Sequence, residues 1–427
     1  METLTTSVVI QIFNAFTGIV LAHSLYPTER GILAAAILWP GLLSSLVAFG
    51  VADAIAYRSS RYSEERGHLL GTGLVLAAVS TGLSVPIGLA LLPRLLSHYG
   101  SDAVISAELF LLYIPIYLTW QNLAAVLLGA LRTAEFNAAR IMQVALSAIG
   151  IALLAIAHGG STRAFILVYL VANTGTLAYV AWRAIQLRAA SWQPSIRISR
   201  AVLSYGIRSH LGTVSGITND YLDQGVISIF LPAAQLAYYA IAVSISAPLA
   251  LVGSSLGMMV MPSVASQPDP EARTANLARY ARVTLAMEAG LGIVLMAIVP
   301  LLIAVLFGLA YEPASPSARI LVIATVFLGA NRVLSAGVRA LNRPLTAGSA
   351  DLLASVVTVA GLIILIPAFG IVGAAITSLI AYAVTTMFLS LALNRLLAVP
   401  LATLLIVRPS DFRTIVIRML DRQTTGT

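Results

Sequence analysis

Residues 201–225 read Ala201-Val-Leu-Ser-Tyr-Gly-Ile-Arg208-Ser-His210-Leu-Gly-Thr-Val-Ser-Gly-Ile-Thr-Asn219-Asp220-Tyr-Leu-Asp223-Gln-Gly225, and an apolar run continues to Leu231-Pro232. A membrane-crossing helix needs about 20 residues, so the stretch is long enough to span. At about 100° per residue, Arg208, Gly212, Ser215, Asn219 and Asp223 fall within an arc of roughly 80°. An arginine or aspartate at the bilayer centre costs about 2.5–3.5 kcal/mol, so this polar stripe is expected to face other helices or a water-filled cavity rather than lipid. Opening the second half of a long hydrophobic chain, such a stripe points to a transport path.

The surrounding sequence supports a membrane setting. Of 427 residues, 59% are hydrophobic and 10% charged, whereas an ordinary soluble protein has about 25% charged residues. The absence of cysteine excludes disulfides and thiolate metal sites. The five histidines, His23, His68, His98, His158 and His210, show no ligand-like spacing, so no metal is expected. The net charge of +8 comes from arginine alone. These arginines are dispersed, without a basic and aromatic platform, which argues against nucleic acid. No cleavable leader is expected, since the first apolar run continues into the body of the chain.

Twelve spans are expected, near 6–26, 31–56, 69–93, 106–131, 139–158, 163–187, 201–230, 233–262, 278–307, 317–341, 345–367 and 371–394. The longest connections, 188–200 and 263–277, are too short to fold alone, which excludes an enzyme with a soluble catalytic domain. Loops after even-numbered spans, with the tail, hold nineteen arginines, against four in the odd-numbered loops. By the positive-inside rule both termini are cytoplasmic. The alternation also supports the count of twelve, which a missed span would scramble.

The two halves echo each other. Leu25-Tyr26-Pro27 ends the first span as Phe230-Leu231-Pro232 ends the seventh, placing Asn14 opposite Asn219 and Gly18 opposite Asp223. Ala130-Leu131-Arg132 matches Ala340-Leu341-Asn342. Two six-span halves in the same orientation imply parallel repeats about an axis along the membrane normal. The expected fold is therefore all-α: twelve transmembrane helices in two six-helix bundles related by a pseudo-two-fold. The expected division is 1–190, a cytoplasmic connection 191–200, a second bundle 201–395 and a cytoplasmic tail 396–427.

Three turns carry a resemblance. They are Leu25-Tyr-Pro27-Thr-Glu-Arg-Gly31, then Asp223 followed by Phe230-Leu-Pro232-Ala-Ala-Gln-Leu-Ala-Tyr238-Tyr239-Ala, and Phe369-Gly370-Ile-Val-Gly373-Ala-Ala375. In order and spacing, over about residues 5–395, they resemble the lipid-linked oligosaccharide flippases of the multidrug/oligosaccharidyl-lipid/polysaccharide exporter superfamily. The chain departs from the pattern at Ala237, where glycine is usual, and in having arginines where the family has lysines. The resemblance implies a non-enzymatic transporter of the bacterial cytoplasmic membrane. It would carry a polyprenyl-diphosphate-linked oligosaccharide to the outer leaflet by alternating access. Membrane lipids would be its partners, together with a polysaccharide polymerase and glycosyltransferases. It would need no cofactor beyond a coupling proton or sodium ion. A cation antiporter of the same superfamily, or a membrane enzyme of glycan polymerisation or ligation, are the alternatives. The first needs an acidic cavity and the second a larger outer loop than this sequence has.

Candidate site residues follow. Arg332, Arg339 and Arg343 lie within an arc of roughly 40° on the tenth span. They either cradle the diphosphate through guanidinium forks or, for the last two, mark the cytoplasmic interface. Arg208 either joins the cradle or snorkels. Asn14, Asn219 and Gln121 are the sugar-contact candidates, with helix–helix adhesion an equal reading for the two asparagines. Asp223 and Glu288 are the ion-coupling candidates, Asp223 being equally readable as a structural or interfacial carboxylate. Pro40, Pro86, Pro115 and Pro248 fall within spans and can bend them, with Gly41 and Gly253 as hinges or packing sites. The stretch 401–407 is too short to span and reads as a surface segment.

Overall fold

The computed structural model describes residues 2–157, 160–187, 192–397 and 400–406, with the side chains of 2–4, 211–220, 401 and 405 outside that description. The described chain is helical throughout: α1 (Glu2–Ser24), α2 (Pro27–Leu46), α3 (Val51–Arg61), α4 (Arg66–Leu96), α5 (Ser101–Phe110), α6 (Tyr113–Gly129), α7 (Thr133–Ile156), α8 (Thr162–Ile185), α9 (Ile196–Phe230), α10 (Ala233–Ala265), α11 (Pro270–Leu306), α12 (Ser315–Ala340), α13 (Pro344–Leu397) and the short α14 (Leu401–Leu405).

Nine helical segments among the described residues are long and apolar enough to cross a membrane, and the bent pair α2–α3 makes a tenth. The 35-residue α9, part of whose side chains lie outside the description, is an eleventh pass. The 54-residue α13 is two helices joined at Gly370, whose backbone is non-helical (φ 56, ψ −135), and supplies the twelfth. The count and order match the sequence expectation, and the protein is a multi-pass membrane protein. Its outward faces carry exposed Ile293, Val294, Leu301, Ile363 and Ile364, a distribution suited to hydrocarbon rather than water.

The second span breaks, but not at Pro40, which is buried inside α2. The break falls at Phe49 and Gly50, both with positive φ, and bends the pair by 48°. Gly50 is required there twice over. Its φ of +63 is left-handed, and a Cβ would lie 2.3 Å from the Gly206 carbonyl oxygen of α9. The break exposes carbonyls at the end of α2, and His210 Nε2 on α9 bonds that of Leu46 at 3.1 Å.

The chain forms two compact units, residues 1–240 with 306–310, and 241–305 with 311–427. In the first, α9 packs against α2, α3 and α4. Its core joins Ile55, Leu69, Leu70, Trp120, Leu123 and Val126 to Ile198 and Val202 of α9. The 192–195 segment lies on α4, where His68 Nδ1 meets Gln193 O at 2.8 Å. In the second unit, α10, α11 and α12 pack with the first and last turns of α13 around Val260, Leu277, Ala281, Val333, Ala350 and Leu393. Leu404 of α14 is fully buried in this core, and the Thr403 carbonyl accepts from Nη1 of the buried Arg282. The described start of the 401–407 stretch is thus packed into the unit. The arginines that follow it, Arg408, Arg413, Arg418 and Arg422, lie outside the described residues.

Candidate functional site

In the first unit the candidates are spread over three helices, α1, α6 and α9. Asn14 is exposed on α1. Arg208 is exposed on α9, and its guanidinium turns back one helical turn, donating from Nε to Ser204 O at 2.8 Å and from Nη2 to Ser204 Oγ at 3.2 Å. The side chain of Asn219 lies outside the described residues. Gln121 is half-buried on α6, one turn after Tyr117. Tyr117 belongs to an aromatic ladder that the sequence reading did not identify. Phe110 stacks on Tyr113 (centroids 5.0 Å apart), Tyr113 on Tyr117 (5.1 Å), and Tyr117 meets Trp120 edge-on (5.7 Å). The steps of three and four residues were the available signal, because they place aromatics on one helix face.

Asp223 is 9% exposed and well supplied with donors. Oδ2 accepts the Tyr239 hydroxyl at 2.5 Å and Oδ1 the Gln224 N–H at 2.7 Å. A cavity of about 330 Å³ opens between α2, α4 and α9, lined by residues such as Trp39, Leu42, Leu91, Tyr221 and Ile229. Among the described residues no charged side chain lines it.

The second unit brings two candidates together. α10 and α12 cross at Gly253 and Gly329, where a Cβ on Gly253 would lie 2.4 Å from Gly329 Cα. Small residues four apart, Gly253 and Gly257, permit this approach; Gly253 therefore packs rather than hinges. Glu288, at the midpoint of α11, enters the crossing. It is 0% exposed, and Oε1 accepts the Gly253 N–H at 2.8 Å. A Cβ at Gly329 would lie 1.9 Å from Glu288 Oε2, so the carboxylate rests on bare helix backbone.

Arg332, one turn along α12 from Gly329, is half-buried. Nη1 donates to Ala250 O at 2.7 Å and to Ser254 Oγ. It joins no ion pair among the described residues, although Glu288 lies within electrostatic reach. Arg339, two turns further, is exposed and within reach of Asp351 on α13. Among the described residues no three acidic or imidazole groups are grouped to hold a metal. The distinguishing feature is a cation set well inside a spanning helix whose hydrogen bonds, among the described residues, go to neutral oxygens.

Comparison with known proteins places these features in context. The sequence model of a family described as "Polysaccharide biosynthesis protein" matches residues 20–316. A protein of Haloferax volcanii, the probable low-salt glycan biosynthesis flippase Agl15, is 24% identical over 355 residues, covering 81% of this chain and 72% of that protein. Among solved structures, the lipid II flippase MurJ in an inward closed conformation superposes with a TM-score of 0.76 at 17% identity, covering 91% of this chain and 87% of that one. An inward-facing multidrug resistance MATE family transporter of the MOP superfamily superposes at 0.70 and 15% identity, covering 93% and 95%. At these identities the structural likeness establishes the fold, twelve helices in two bundles.

Proposed function

Because the chain belongs to the polysaccharide biosynthesis protein family, we propose that it is a flippase moving a lipid-linked glycan across the membrane, a transporter rather than an enzyme. The observation that carries the reading is Arg332. A guanidinium about 12 Å inside the end of α12, at 1.5 Å per residue, whose hydrogen bonds among the described residues go to the Ala250 carbonyl and the Ser254 hydroxyl, has Nε and Nη2 left to meet an anion. A diphosphate linking lipid to sugar is such an anion, and a guanidinium fork suits its oxygens. An organic cation would be repelled.

In this proposal Arg339 extends the cradle on α12, while Arg208 is the first unit's candidate for the diphosphate and Asn14, Asn219 and Gln121 its candidates for sugar. Alternating access is the expected mode of transport. Asp223 or Glu288 binds a coupling proton or sodium ion. The arginine asymmetry supports cytoplasmic termini, and the proposed membrane is the bacterial cytoplasmic one. A polymerase and glycosyltransferases acting on the same glycan are the expected partners.

Lipid extraction from cells lacking the gene tests the reading. A completed lipid-linked repeat unit should accumulate in the cytoplasmic leaflet while surface glycan falls, and the intact gene should reverse both. Unchanged lipid-linked glycan, with heightened sensitivity to cationic drugs, would instead select the antiporter.

A further inference from the structure

We propose that the apolar cavity between α2, α4 and α9 is a binding site for one acyl chain of a membrane phospholipid, held as a fixed part of the first unit and independent of the cargo.

The cavity measures about 330 Å³, roughly twice the 150 Å³ of an apolar cavity that stays dry and takes up benzene. By the same proportion it has room for a hydrocarbon chain of about a dozen carbons. Leu42, Leu43, Leu92, Leu95, Leu222 and Val226 make much of its wall. Among the described lining residues, polar side-chain atoms come from Trp39 and Tyr221. Trp39 donates its Nε1–H to Ser228 Oγ at 3.1 Å, and Ser228 donates in turn to the Gly225 carbonyl at 2.7 Å. Tyr221 lies within electrostatic reach of Tyr113 and Tyr117 on α6. A buried water needs about two to four polar partners, so this wall suits hydrocarbon rather than water.

Gly225 keeps the space open. It is buried inside α9, and among the described residues a Cβ there would meet Trp39 alone, at 4.0 Å. Glycine weakens a helix interior relative to larger residues. Its usual justifications are a left-handed backbone and a close approach by another chain segment. Gly225 has neither: its φ is not positive, and no backbone lies within 4 Å. At Gly31, Gly50 and Gly253, by contrast, a Cβ would lie within 2.4 Å of a neighbouring backbone atom. What Gly225 provides is room beside Trp39.

The cavity is continuous with the exposed surface. Leu46 and Leu91 line it and are also 42% and 39% exposed. On α4, exposed Val79, Leu83 and Ile87 lead to Leu91 in steps of four residues, which places them along one side of the helix. An exposed apolar row on a spanning helix lies in hydrocarbon, so bilayer lipids are what reaches the mouth. A chain laid along this row, about 18 Å from Val79 to Leu91 at 1.5 Å per residue, ends in the cavity. Once seated, it fills the space between α9 and the end of α2, just before the break at Phe49 and Gly50.

The test places the purified full chain in nanodiscs of phosphatidylcholine brominated along one acyl chain, because bromine quenches nearby tryptophan. Trp39 lines the cavity, and its emission is the difference between the wild type and Trp39→Phe. Trp39 should be strongly quenched in the wild type. Gly225→Leu fills the cavity from α9 and should reduce that quenching about threefold or more, since a packed site has no room for a chain. Mass spectrometry of the intact protein released from its own membrane should find about one phospholipid held per wild-type chain, and at least roughly fivefold less on Gly225→Leu. Stripping lipid should lower the thermal midpoint of the wild type more than that of Gly225→Leu, because a ligand stabilises the state it binds.

Trp39 emission untouched by bromine in the wild type overturns the site. Equal quenching and equal lipid retention in Gly225→Leu overturn it too, since bromine then reaches Trp39 from outside the cavity. Relief of the quenching by a trace of polyprenyl phosphate, with a polyprenyl lipid in the retained mass, gives the cavity to the carrier chain and overturns the phospholipid assignment, while the flippase reading stands. Retained lipid is read on the wild type itself, so poor folding of a variant does not leave the proposal undecided: a wild type that keeps no lipid overturns it.

Discussion

Tyr239 donates its hydroxyl to Asp223 Oδ2 at 2.5 Å, closing the hairpin in which Leu231-Pro232 separates α9 from α10. Tyr239 is 0% exposed, and Asp223 also accepts its neighbour's N–H. The arrangement makes Asp223 the anchor of a clasp between consecutive spans. Tyr239→Phe keeps the ring and deletes the donor, so a buried acceptor loses a charge-assisted partner. A cost of about 1.5–3 kcal/mol is expected. Thermal unfolding of the purified protein checks this, and an unchanged midpoint would show that the clasp bears no load.

Gly329 sets a second expectation. A methyl group there meets the Glu288 carboxylate at 1.9 Å, before any other group. Gly329→Ala should destabilise by about 1–3 kcal/mol through overpacking. The same substitution combined with Glu288→Ala should cost less than the sum of the two single changes, since the second removes what the first collides with. Additive losses in the double variant would place the strain elsewhere.

These two sites show where the sequence was legible. Arginine alternation and hydrophobic run length were enough for twelve passes, because both are imposed locally by the bilayer. Gly370, quoted within a turn motif, is where α13 divides. The break in the second span was missed. Attention fell on Pro40, the usual helix breaker, whereas the bend follows from the left-handed Gly50 and its approach to Gly206, 156 residues away in sequence. The stripe on α9 was drawn from angular spacing alone. Arg208 lies on it, yet bonds its own helix at Ser204. Glu288 and Arg332 were each picked out by depth. Their common neighbours Gly253 and Gly329 depend on the register of one helix against another, which no local pattern records.

Two ion pairs should differ in weight. Glu135 on α7, its side chain 14% exposed, accepts from Arg183 Nη2 on α8 at 2.6 Å and lies 3.4 Å from Arg132 Nε. Asp102 and Arg163 pair with side chains 80% and 45% exposed. Truncating Asp102 to alanine should change stability by less than about 1 kcal/mol, because solvent screens such pairs. Glu135→Ala leaves two arginines without their partner and should cost about 1.5–3 kcal/mol. Thermal melts in low and high salt distinguish them. Equal losses for the two variants would contradict the burial argument.

Arg332 and Arg208 should separate most clearly in transport. Arg208 is exposed and spends two nitrogens on Ser204, one turn away. Arg332 is half-buried and spends one nitrogen on α10, with Nε and Nη2 making no hydrogen bond among the described residues. A charge-assisted hydrogen bond contributes about 1.5–3 kcal/mol, which corresponds to roughly 10- to 150-fold in affinity. Arg332→Ala should therefore reduce glycan export by about tenfold or more at normal membrane abundance. Arg332→Lys should recover part of that, since an ammonium keeps the charge but cannot hold α10 and a phosphate at once in fork geometry. Arg208→Ala should fall well short of Arg332→Ala. The measurement is surface glycan per unit of membrane-inserted protein in complemented deletion cells. Export by Arg332→Ala at the wild-type level would take the cradle away from α12. A loss in Arg208→Ala alone would move it to α9, with the polar stripe of residues 208–223 as its floor.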